Sequence, residues 1–156
     1  MEMLFRYNWQ VRQEWLDWCK ELPTVELERE RTGGVGSILK TLNHIVDVEY
    51  SWICDLQGKP DQSELFQSAD SLEQIAALSE HFRPEISEYV SAWKPEMEQQ
   101  ILQAVREDGS SEQYTYGEVM RHVIAHEIHH MGQMSVWSRE LDKKPVSANL
   151  IRRGLA

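Results

Sequence analysis

Long apolar runs, cysteine and surplus positive charge are what this sequence has least of. No run of about 18 apolar residues occurs in its 156 residues, so nothing reads as a membrane-crossing helix. No basic-then-apolar leader opens it, and the expectation is a soluble cytoplasmic protein with no membrane partner. The two cysteines, Cys19 and Cys54, sit among apolar residues at helical spacing and read as buried thiols in a reducing compartment. Lys and Arg total 16 against 26 Asp and Glu, a formal net charge of −10. The basic residues are scattered, the densest pairs being Lys143-Lys144 and Arg152-Arg153, so no nucleic-acid partner is expected. Apolar/polar alternation sustained by β-branched residues is also missing, which makes the fold class all-α.

Four helical blocks fill one expected domain, residues 1–156. The first runs from about Leu4 to Leu22, with Phe5, Trp9, Val11, Trp15, Trp18 and Leu22 at helical spacing before Pro23. Gly33, Gly34 and Gly36 lack the preceding strand and the Gly-Lys-Ser/Thr of a phosphate loop, and read as a turn opening the second block. That block spans about Gly36 to Leu56 and closes at Gly58-Lys59-Pro60. Ser71 with Gln74 caps a third helix carrying Leu72, Ile75, Leu78, Phe82, Ile86, Val90 and Trp93, in which Pro84 predicts a kink or break near Phe82. Residues 94–114 are the least legible: a helix from Glu96 to Val105 and a loop at Asp108-Gly109-Ser110-Ser111 are predicted. Thr115 with Glu118 caps the last helix, through about Leu141, and the tail from Pro145 reads as irregular. Four helices with a long connection between the second and third fit a four-helix bundle, whose metal and cofactor sites face the core.

Four of the six histidines lie within residues 122–130. Val119, Val123, Met134, Trp137 and Leu141 define an apolar arc of about 60° on the last helix at roughly 100° per residue. His126 and His130 fall in or beside it, whereas His122 and His129 point about 80–100° from its centre. Two core-facing imidazoles one turn apart are at metal-ligand spacing, although each could instead hydrogen-bond a neighbour. One helix cannot surround an ion, so a third ligand must come from elsewhere. His44 is the candidate, at the edge of the apolar face set by Ile38, Leu42, Ile45, Trp52, Ile53 and Leu56.

Glu49 lies inside that face and must be paired, either orienting a ligand histidine or accepting from Trp or backbone donors. Glu127 and Gln133 join it as side chains that support the ligands or act as a base, with His122 and His129 as alternative proton shuttles. His81 reads as surface. Three histidines and an open position are the arrangement of catalytic metal sites. Zinc or nickel is expected first, with iron, manganese or copper as alternatives.

His126-Glu127-Ile128-His129-His130 also matches H-E-x-x-H, the zinc-protease signature. No histidine follows His130, Val136 stands where the extended pattern needs one, and Glu140 lies about 15 Å away on the same helix. The protease reading is set aside.

Asn43-His44-Ile45 followed by Glu49 and Trp52, together with His126 through Gln133, resembles the DinB/YfiT-like family of bacterial helical metalloproteins, from near Met1 to about Leu141. Met131 departs from the pattern, which more often has arginine there. The resemblance implies a four-helix bundle of crossed-over topology, a divalent metal on His44, His126 and His130, and a homodimer. Some relatives transfer low-molecular-weight thiols such as bacillithiol or mycothiol onto electrophiles. A metal-dependent enzyme activating water or such a thiol on a small-molecule substrate, an S-transferase or hydrolase-like protein, is therefore one expectation. The other is a non-catalytic, stress-linked helical dimer in which the metal is structural.

Overall fold

The computed structural model describes residues 1–105 and 108–155. Its long helices are α1 (Glu2–Cys19), α3 (Ile38–Gln57), α5 (Leu72–Ser91) and α6 (Tyr116–Glu140). Two short ones, α2 (Thr24–Glu28) and α4 (Ser63–Ser68), lie in the connections. Among the described residues no helix is long and apolar enough to cross a membrane.

Local chemistry sets the ends of these helices. Ser37 accepts from the Lys40 amide to start α3, and Gly58 ends it in the left-handed conformation, φ 66°, which costs glycine nothing. Ser71 accepts from the Gln74 amide to start α5. Thr115 and Glu118 form the reciprocal capping box of α6, as their spacing predicts. Pro84 does not break α5: the helix runs through it unbroken, with Phe82 and Ile86 on either side anchored in the core. The proline itself is exposed, so the hydrogen bond it forfeits is left to solvent.

The main correction concerns residues 94–115. The helix expected from Glu96 to Val105 is instead a single 3-10 turn, Pro95–Met97, followed by strand β1 (Ile101–Val105). This pairs antiparallel with β2 (Ser111–Thr115), in the register Ile101↔Thr115 to Val105↔Ser111. The expectation that no strand would occur is overturned here. A two-stranded hairpin with one half-buried face carries little apolar signal: of its apolar residues only Leu102, Ala104 and Tyr114 turn inward, and partly. Part of the stretch 94–114, residues 106 and 107, lies outside the described residues.

α1 packs on α5 and α6, and α3 packs on the same two helices. The order around the core is therefore α1, α5, α3, α6, with α1 opposite α3. Successive long helices thus cross the bundle twice, through 20–37 and through 92–115, the segment holding the hairpin. The connection expected between the second and third long helices is present at 58–71 and contains α4. The core is filled by Phe5, Trp15, Leu42, Ile53, Ile75, Ile86, Met120 and Trp137, all at most 2% exposed. Cys19 and Cys54 are buried free thiols. The tail from Pro145 is irregular, as expected, and is held to α1 by Tyr7 Oη donating to the Ala148 carbonyl and by Arg153 pairing with Glu14.

Candidate metal centre

Helices α3 and α6 are neighbours, so His44 on one can meet His126 and His130 on the other. They converge through their Nε2 atoms. His126 Nε2 lies 3.0 Å from His44 Nε2 and 3.1 Å from His130 Nε2. One ligand atom from each of the three residues falls within 4.8 Å of the others. Imidazoles bound to one ion at about 2.0–2.1 Å would hold their nitrogens roughly 3.0–3.4 Å apart at angles near 90–110°. The two contacts made by His126 fit that requirement, and the His44 and His130 nitrogens lie within 4.8 Å of each other.

Hydrogen atoms alone do not account for the cluster. His130 Nδ1 is 2.8 Å from Gln133 Oε1, a pure acceptor, so Nδ1 carries the hydrogen and Nε2 is left with its lone pair. Gln133 Nε2 lies 3.0 Å from His129 Nε2 and donates there. His126 Nε2 thus faces two nitrogens while carrying at most one hydrogen. A shared cation would satisfy all three lone pairs.

The environment keeps the rings neutral. Burial, then the like charges of His130, His44, His122 and His129, holds His126 down at about 4. Burial lowers His44, helped by His130. Burial also lowers His130 against the opposing effect of its Gln133 contact. Neutral imidazole is the ligating form. His130 is buried at 6% exposure, and His44 and His126 are half-buried, so the cluster lies at the edge of the core with a side toward solvent. His122 and His129 are exposed, as is His81.

The glycine turn also belongs to this neighbourhood. Gly34, φ +57°, comes so close that a Cβ placed on it would lie 2.5 Å from Gln133 Oε1 and 3.3 Å from the Trp137 ring. Trp137 Nε1 donates to the Thr32 carbonyl at 3.2 Å and pins the same loop.

Glu127 and Glu49 point elsewhere, into the centre of the bundle. Arg12 of α1 donates through Nε and Nη2 to the two Glu127 oxygens at 2.7 and 2.5 Å, and through Nη1 to Glu49 Oε2 at 2.7 Å. Trp9 Nε1 donates to the other Glu49 oxygen at 2.7 Å. All three charged groups are at most 2% exposed. Burial alone would lower Arg12, but Glu127 and Glu49 beside it raise it. Burial raises Glu127 against the pull of Arg12, and the Glu49 charge adds to the rise. Glu49 thus takes the tryptophan partner foreseen for it, and Glu127 is bound on both oxygens rather than turned to the histidines.

A model of the DinB family matches residues 1–153. The chain belongs to the DinB family. It is 46% identical over 155 residues to the uncharacterized protein YizA of Bacillus subtilis (strain 168), covering 99% of this chain and 96% of that one. Its fold is similar to the crystal structure of a DinB-like protein from Bacillus cereus ATCC 10987, with TM-score 0.67 and 21% identity, over 92% of this chain and 91% of that one.

In this DinB protein two residues near the centre went unread in the sequence. Arg12 stands in the α1 stripe Phe5, Trp9, Arg12, Leu16, Cys19, all buried, and a charge at that phase should have been matched to the acid inside the α3 face. Gly34 gave no signal beyond its turn, because its role depends on a contact 99 positions away in the chain, from 34 to 133.

Proposed function

We propose that this DinB protein is a metal-dependent enzyme whose divalent ion is held by His44, His126 and His130. The observation that carries the reading is the convergence of three imidazoles, His126 Nε2 lying 3.0 Å from His44 Nε2 and 3.1 Å from His130 Nε2, with Gln133 Oε1 2.8 Å from His130 Nδ1. Three neutral nitrogen donors suit zinc or nickel, then iron, manganese or copper. An ion at such a site lowers the pKa of a bound water or thiol and so raises the anion fraction at neutral pH. The chain's own contribution is orientation and access. Gln133 aims His130, the buried Arg12 network fixes α1 against α3 and α6, and half-buried His44 and His126 leave a side open for a small molecule. Low-molecular-weight thiol S-transfer or a related hydrolysis is the reaction class supported by family membership and by this open, nitrogen-only donor set.

A second reading keeps the metal structural, in a non-catalytic stress-linked dimer. It draws on the way the three histidines tie α3 to α6, much as Arg12 ties those helices to α1. In either reading we propose a homodimer. A groove lined by Met1, Leu4, Val90, Trp93, Ile124 and Ile128, with Glu2, Glu98 and Arg121 also in its wall, offers a surface for a second copy, to be tested by light scattering on the eluted protein.

The experiment combines metal analysis with turnover. Purified protein should carry about one equivalent of metal per chain and consume a thiol in the presence of a small electrophile, with His130→Ala abolishing both. Full activity in His130→Ala would overturn the enzymatic reading. Metal-dependent melting with no turnover of any thiol or ester would favour the structural one.

A further inference from the structure

One helical turn before His126, α6 presents His122 to the side of the bundle, and a second small site is built around it. Trp52 of α3, Tyr114 of β2 and His122 line a slot of about 200 Å³, with Val119 and Glu118 completing the wall. The Trp52 ring centroid is 5.9 Å from Tyr114 and 5.9 Å from His122, at interplanar angles of 87° and 78°. Three rings set nearly perpendicular in this way present both faces and edges to one space. The face of an indole or phenol ring is electronegative and attracts an organic cation.

Carboxylates reinforce that polarity. Glu118 uses only Oε2 for the cap of α6, at 2.7 Å to the Thr115 amide and 2.8 Å to Thr115 Oγ1. The Thr115 bonds also hold its carboxyl below the usual range, so it stays ionised. Oε1 is uncommitted among the described residues. The Tyr114 hydroxyl donates to Glu112, which makes the phenol ring more electron-rich. Nearby Arg121 pairs with Glu98 at 2.8 Å. The chain's net charge of −10 favours cations at longer range.

We propose that this slot binds the ammonium end of a small organic molecule. The ring centroids of His122 and His126 are 5.8 Å apart, so a molecule seated there extends its other end to the three-histidine cluster. That second half of the statement rests on the metal reading; the cation slot does not. The substrate class it defines is an amine or quaternary ammonium compound with a metal-binding group a few bonds away.

The test uses choline as the probe and 3,3-dimethylbutan-1-ol, its neutral carbon isostere, as the control. Nitrogen-proton NMR spectra of the full chain follow the Trp52 indole, assigned by its loss in Trp52→Phe, first in metal-free protein and again after metal loading. Choline should shift that signal saturably, with the isostere weaker by about fivefold or more. Glu118→Gln removes the charge but keeps a capping residue of the right shape, and should weaken choline by about threefold. Equal affinity for choline and isostere would overturn the cationic class, and no shift with either would overturn the slot. Choline binding in a chain that takes up no metal would uphold the slot while removing the metal reading.

Discussion

Gly34 and Gln133, from a loop and a helix far apart in sequence, are packed so closely that a side chain at position 34 would have to displace the Gln133 amide. Gln133 is in turn the residue that sets the tautomer of His130. The turn therefore acts on the metal site through a single amide. Gly34→Ala should push Gln133 aside and weaken metal affinity by about tenfold, the scale at which partners of a ligating histidine act. The positive φ adds about 1 kcal/mol of backbone strain. Competition against a chromophoric chelator measures the first effect and urea denaturation the second. Unchanged affinity would show that Gln133 does not depend on the turn.

Gln133→Leu isolates the tautomer. It removes the acceptor from His130 Nδ1 without touching a ligand, so affinity should fall about 10–100-fold while the apo protein keeps its helix content. The same chelator competition applies, with circular dichroism as the control. An affinity matching wild type would mean that His130 is oriented by packing alone.

Acid should destabilise the metal-free protein in a definite window. His126 sits near 4 when folded and at the ordinary 6.5 when unfolded, so between those values the unfolded chain binds the extra proton. The stabilising contribution is therefore present above 6.5 and is lost as pH falls toward 4. Urea melts of the metal-free chain at a series of pH values should show this slope, and His126→Gln should reduce it, leaving the smaller share of His44 and His130. Parallel curves for the two proteins would refute the assignment.

Metal removal should lower the melting temperature. An ion that binds only the folded chain contributes about 2.7 kcal/mol at a hundredfold excess over Kd. Calorimetry with and without chelator checks this, and the shift should vanish in His44→Ala. A shift that survives in that variant would place the metal elsewhere.

Arg12→Ala should cost about 3–5 kcal/mol, because it strands two buried carboxylates without their cation. Arg12→Met with Glu49→Gln and Glu127→Met removes the charges together and should recover most of the loss. Denaturant titration compares the two. A single variant within 1 kcal/mol of wild type would mean that the pair is neutralised in some other way.

Helical phase made much of this site legible and misled at one residue. His126, His130 and His44 were selected from spacing and face alone, and the structure brings those three together. Glu127, expected to support the ligands or act as a base, lies outside the arc that Val119, Val123, Met134, Trp137 and Leu141 define on α6. Met120, Ile124 and Met131 are buried as well, at 0%, 5% and 3% exposure. Including them moves the centre of the buried face by about 40°, onto Glu127, and leaves His126 at its edge. A stripe fitted to too few residues gives the right helix and the wrong centre.

The hairpin and the crossing order of the helices were not legible for a different reason. Alternation is weak where one strand face is solvated and the other only half-covered, so Ile101–Val105 looked as helical as extended. The order α1, α5, α3, α6 depends on which faces meet, and each long helix is apolar enough to pack on any other.

His44 and His126 are separated by 82 positions, and α6 is the final helix of the fold. During synthesis, a chain emerging from the ribosome presents two separate imidazoles in its first three long helices, His44 on α3 and the exposed His81 on α5, and no triad. Only when α6 docks on α3 does the triad close, so on the metal reading uptake of an ion would report that these two helices have packed. Chains that end before residue 126 would lack two of the three histidines and so could not close the triad.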